Sequence, residues 1–170
     1  MNKKILAALL VILALFLLHA VSFNFIQDDA FISYRCVKNF VSGQGLVFNA
    51  GERVEGYTNF LWIILLALFT ALGVNTVLAS KILGLASGCL SLLLLYRISL
   101  ALQQEEKLKG AQPEQEGGAA SWLALVPPLL MAANGAFAYW SISGLESGLF
   151  VLLVLLSTYL YFTRERLMVL

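Results

Sequence analysis

Apolar residues along this chain gather into five stretches, 5–23, 57–72, 77–102, 122–139 and 149–162, separated by short hydrophilic islands. Apolar runs approaching 20 residues read as membrane helices. Between the first two, Phe31, Tyr34, Val37 and Val41 recur at helical spacing with Ile32, Cys36 and Phe40 beside them, and Gly43 and Gly45 close the run. That pattern predicts an amphipathic helix over 31–42 lying on the membrane surface. Residues 103–120, with Glu105-Glu106-Lys107, Lys109, Pro113 and Gly117-Gly118, show no apolar period and read as a solvated linker. There is no internal repeat.

The basic residues decide how many stretches cross. Five crossings would put Arg97, Lys107, Lys109, Arg164 and Arg166 outside while Lys3 and Lys4 stay inside, against the positive-inside rule. If 57–72 lies in the interface or re-enters, all of them fall on the cytoplasmic side. That segment is short, opens with Tyr57-Thr58-Asn59, carries Trp62 and ends at Gly73. The expectation is therefore an all-α, multi-pass protein of the inner (plasma) membrane with a cytoplasmic N-terminus. Its crossings are 5–24, 76–102, 121–140 and 149–163, with an extracytoplasmic loop 25–75, a cytoplasmic linker 103–120 and an extracytoplasmic turn 141–148. The loop and the turn then share one face, so Asp28, Asp29 and Glu146 can share a site.

Composition narrows the chemistry. Hydrophobic residues make up 60% of the chain and charged ones only 12%, which excludes a water-soluble domain. The net charge of +1 is scattered over the islands and provides no field for nucleic acid. Cys36 and Cys89 lie in dissimilar surroundings and read as free thiols; His19, the single histidine, reads as a packing or interface residue. The basic start and the apolar run after it have some features of a signal peptide, with Ala20-Val21-Ser22 as its cleavage site, but the run is long and more spans follow, so an uncleaved helix is expected.

Candidate chemistry concentrates in the first loop. Asp28 and Asp29 emerge where the first span reaches the headgroups, a costly place for ionised groups. Either can cap the following helix, and Arg35, two turns on from Asp28, can pair with it. Arg53 suits an anionic phosphate through its planar fork, or else pairs with Glu52 or Glu55. Glu146 stands alone among acids between the last two spans, or serves as an acid at a helix N-terminus.

Three runs carry a resemblance: Asp28-Asp29-Ala30-Phe31-Ile32-Ser33-Tyr34-Arg35, Gly43-Gln44-Gly45-Leu46-Val47-Phe48-Asn49, and Glu52-Arg53-Val54-Glu55-Gly56-Tyr57-Thr58-Asn59-Phe60-Leu61-Trp62. With Ser143-Gly144-Leu145-Glu146 they resemble the GT-C membrane glycosyltransferases, in the bacterial branch related to the terminal arabinofuranosyltransferase of mycobacterial walls. Aminoarabinose and protein O-mannosyl transferases are more distantly similar. The resemblance implies transfer of a sugar from a polyprenyl-phosphate carrier to an extracytoplasmic envelope glycan, lipid or protein. It implies a first-loop acid as base: Asp28, with Asp29 orienting the acceptor, helping to hold a divalent cation, or acting in its place. Arg35, Arg53, Glu55 and Glu146 become substrate-binding candidates, and no cofactor beyond a possible divalent cation is implied.

Members of that family are several times longer, so the chain reads as an N-terminal fragment, expected to be inactive alone. The competing classes are a non-catalytic membrane protein, such as an assembly partner or transporter piece, and a flippase or ligase for lipid-linked oligosaccharides. Both predict that Asp28→Asn is tolerated.

Overall fold

A computed structural model describes residues 2–52, 54, 56–108 and 122–168, and all the regular structure among them is helical. In chain order the helices are α1 (Lys3–Phe23), α2 (Ala30–Val41), α3 (Phe60–Ala71), α4 (Thr76–Leu108), α5 (Val126–Ala133), α6 (Gly135–Ile142) and α7 (Ser147–Met168). Arg53 and Glu55, and the linker from 109 to 121, lie outside the described residues.

α1 has 21 residues, a rise of about 31 Å that matches the hydrocarbon thickness of a bilayer. Asn2 Oδ1 accepts from Lys4 N at 3.0 Å and closes its start. Ile5, Leu9, Ile12, Phe16 and Ala20 form its buried stripe at three- and four-residue spacing. Among the described residues, α1 and the 76–105 part of α4 are the two helices that alone are long and apolar enough to cross a membrane. α6 and the 147–163 part of α7 meet that measure only as a pair, turned through 115°. With 12 residues, α3 rises about 18 Å, too little to cross.

The stretch expected as one span over 121–140 is two short helices. Pro127 and Pro128 sit in the first turn of α5, where a missing N–H costs nothing. Asn134, in extended conformation, ends α5 and caps α6, its Oδ1 accepting from Phe137 N at 2.9 Å. The last helix begins at Ser147 and α4 runs on to Leu108, into the stretch read as linker.

Two apolar cores result. One joins the α1 stripe to Leu92 and Tyr96 of α4, Ala132 of α5 and Ala138 of α6. The other joins Ala30, Tyr34, Cys36 and Val37 of α2 to Trp62, Ile63, Leu66 and Ala67 of α3 and Ala79 of α4. α2 thus packs on α3 through 30, 33, 34, 36 and 37, while Phe31, Ile32, Phe40 and Val41 stay exposed. Its exposed side mixes these apolar residues with Arg35 and Lys38, which suits an element set between a protein core and a lipid interface. Both α2 and α3 end in Schellman motifs: Gly43 N donates to Phe40 O and Gln44 N to Asn39 O, and Gly73 N donates to Thr70 O and Val74 N to Phe69 O.

Close approach welds the bundle. Gly84 and Gly88 of α4 face α6 and α1: an added Cβ at Gly84 would overlap the Ser141 carbonyl oxygen, and one at Gly88 the Phe16 ring. Small residues at this spacing let helix backbones pack without intervening side chains. His19 packs as expected, its Nδ1 3.3 Å from Ala132 O and its ring 5.4 Å from that of Phe23. Neither cysteine is bridged.

Candidate functional site

At the Asn24 end of α1 the first loop meets the turn between α6 and α7. Gln27 N donates to Ser143 O at 2.8 Å. Trp62, 1% exposed, donates from Nε1 to Gly144 O at 3.1 Å. Gly144 has φ 89°, and a Cβ there would overlap the Tyr34 hydroxyl and press on Ala30 Cβ. Only glycine fits a position that is both left-handed and this close to a neighbouring helix. Tyr34 in turn shares a 2.6 Å hydrogen bond with Ser80 Oγ of α4. Burial pushes its phenol above the ordinary value, and the Ser80 contact pulls part of the way back. Burial also raises the Cys36 thiol, which keeps it protonated and unreactive.

This framework fixes Glu146. Asn59 Nδ2 donates to Glu146 Oε2 at 2.8 Å and to Ser33 Oγ at 3.0 Å. The Ser33 hydroxyl donates to Asn59 Oδ1 at 3.3 Å. A carboxylate accepts only, so it requires the amide nitrogen, not the oxygen, to face Glu146. Asn59 stands at the N-cap of α3 and Asp29 at the N-cap of α2, yet neither side chain caps its helix. A side-chain cap stabilises a helix by about 1 kcal/mol. Both residues forgo it and line a cavity of about 390 Å³ together with Ser33, Thr58 and Glu146.

The two adjacent aspartates are not equivalent. Asp28 Oδ1 accepts from Gln27 Nε2 at 2.8 Å and from Asp29 N at 3.2 Å, and Asp28 is not among the cavity-lining residues. Asp29 is exposed, lines the cavity, and its carboxylate accepts no hydrogen bond from the described residues. The helix-capping role open to either acid is therefore taken by neither. Arg35 does not pair with Asp28: its Nε donates to Phe48 O at 2.9 Å and its guanidinium lies 5.3 Å from the centre of the Phe48 ring. It braces the loop instead. Among the described residues no group of three or more His, Cys, Asp or Glu side chains is placed to hold a metal ion.

Asn59 and Trp62 had no site role assigned from sequence; Asn59 stands at the N-cap of α3 and Trp62 in its first turn. The available signal was their three-residue spacing, which puts both on one face of a helix start, and a tryptophan whose burial demands an acceptor for its N–H.

With two membrane-length apolar helices and only helical regular structure among the described residues, the chain is a membrane protein in character. Part of it is similar to known glycosyltransferases. Over 50 residues, 28% of the chain, it is 53% identical to the terminal beta-(1->2)-arabinofuranosyltransferase of Corynebacterium glutamicum. Over 43 residues, 25% of the chain, it is 49% identical to the enzyme of the same name from Mycobacterium tuberculosis. Each matched segment spans 7% of the relative's length. No protein-family model and no solved structure matches the chain.

Proposed function

We propose that this chain contributes a carboxylate-bearing acceptor site to a membrane glycosyltransferase that moves a sugar from a polyprenyl-phosphate carrier to an extracytoplasmic envelope glycan, lipid or protein. The observation that carries the reading is the cavity shared by Asp29 and Glu146, together with the partial similarity to arabinofuranosyltransferases. Asp29 acts as the base. It takes the proton of an acceptor hydroxyl as that oxygen bonds to the anomeric carbon, while the bond from that carbon to the carrier phosphate breaks and the phosphate leaves with the electron pair. Glu146, held by Asn59, accepts hydrogen bonds from sugar hydroxyls. Asp28 fixes the backbone at the start of α2. Arg53 and Glu55 remain candidates for the carrier and sugar.

The same contacts support four crossings with the loop and the α6–α7 turn on one face, and the positive-inside rule makes that face extracytoplasmic. Glu146 meets Asn59 from 87 positions away, and the 115° turn between α6 and α7 is nearer reversal than continuation.

The test is made in membranes of the native host carrying chromosomal variants, with a radiolabelled polyprenyl-phosphate sugar. Asp29→Asn should lower transfer by about 10²- to 10⁴-fold, the usual contribution of a general base, with insertion unchanged. Full activity in both Asp28→Asn and Asp29→Asn would leave the chain as a non-catalytic membrane component.

A further inference from the structure

A second cavity, of about 920 Å³, opens on the opposite part of the bundle between α1, α4 and α7. That is within the roughly 300–1,000 Å³ range of ligand pockets. Its wall is leucine and isoleucine almost throughout, with Ile5 and Leu9 from α1, Leu90 and Leu93 from α4 and Leu153 from α7. The α4 part runs from Leu90 to Leu100, about 15 Å of helix, or half the roughly 30 Å hydrocarbon core. The groove is therefore one leaflet deep. Its polar positions gather toward one end: Asn2, which caps α1, and Tyr96 and Arg97 of α4, one turn short of Leu100. Arg97 is exposed and has no hydrogen-bond or ion-pair partner among the described residues. Lys3 and Lys4, next to Asn2, are exposed as well.

An occupant must fill an apolar slot one leaflet long and carry negative charge at its outer end. We propose that this groove binds an anionic diacyl phospholipid, of the phosphatidylglycerol type, from the leaflet that surrounds the N-terminus of α1. An acyl chain lies along the leucines and the phosphate meets the Arg97 guanidinium, whose fork contacts two oxygens at once. Lys3 and Lys4 add to the field at headgroup level. The site stands apart from the acidic cavity and does not depend on the transfer reaction.

The full 170-residue chain, purified in a mild detergent, is mixed with equal amounts of phosphatidylglycerol and phosphatidylcholine bearing identical chains, and bound lipid is counted by native mass spectrometry. The expected result is about fivefold preference for phosphatidylglycerol, the scale of one basic residue at a membrane surface. Arg97→Gln should bring the two lipids to parity, Arg97→Lys should keep a preference, and Leu93→Trp, which fills the slot and leaves the charge, should reduce retention of both. Equal retention by the unaltered chain, a preference indifferent to Arg97→Gln, or a groove closed by a second copy of the chain would each overturn the proposal.

Discussion

Asn59 gives one amide proton to Glu146 and the other to Ser33, so it sets the position of a carboxylate without needing to touch substrate. Asn59→Ala should lower sugar transfer about a hundredfold, the effect of a displacement of roughly 1 Å at a reacting site, while the protein remains inserted at normal level; unchanged transfer would free Glu146 of any need for this tether. Gly144→Ala meets both a left-handed φ and the Tyr34 hydroxyl. It should destabilise the fold by about 1–3 kcal/mol, and Tyr34→Phe should recover part of that loss in a thermal melt. Tyr34 also implies a pH dependence. Its folded-state pKa is raised above 10.0, so its contribution is fully present below that value and declines as pH rises further. Comparing the unaltered chain with Tyr34→Phe above pH 10 in chemical denaturation isolates that decline. At this scale the acids were legible in sequence, because charge next to apolar spans stands out. The tethers were not: Asn59 and Trp62 bond to partners 87 and 82 positions away, and contacts of that kind leave no periodic trace. The pairing with Asp28 that helical spacing opened to Arg35 is not made for the same reason, since Phe48, from the following loop, accepts from the Arg35 Nε.

Helix positions follow from hydropathy closely, and helix interruptions less so. The pattern located α1, α3 and the membrane part of α4 as continuous apolar runs and α2 by its helical period. It ran α5 and α6 together, because the break at Asn134 is a local choice of backbone conformation and side-chain cap inside an apolar run. α4 joins the others through glycine contacts of two kinds. At Gly84 the obstacle to a side chain is the backbone oxygen of Ser141; at Gly88 it is chiefly the edge of the Phe16 ring. Gly84→Ala should therefore reduce folded yield with no simple second-site remedy. Gly88→Ala, with an overpacking cost of about 1–3 kcal/mol, should be relieved by Phe16→Leu. A double-mutant cycle on thermal stability separates the two cases: additivity at 88 and 16 would contradict the packing described.

The molecule as a whole has its polar cavity at one end and its leucine-lined groove toward the other, and the crossings between them can be mapped chemically. With Cys36 and Cys89 replaced by alanine, single cysteines at Asn49, Ser147 and Gln115 report the sides through an impermeant label applied to intact cells. Four crossings predict labelling at 49 and 147 and none at 115; any difference between 49 and 147 would separate Asp29 from Glu146 by the bilayer. The contact of Trp62 with Gly144 and of Asn59 with Glu146 also imposes an order on biogenesis. A nascent chain that has delivered α1, α2 and α3 already displays both aspartates, yet its cavity lacks a wall until the turn between α6 and α7 has been made. Assembly of the acidic pair thus comes late in synthesis, and the indole of Trp62, gaining the Gly144 carbonyl as its acceptor, marks the moment at which it is met.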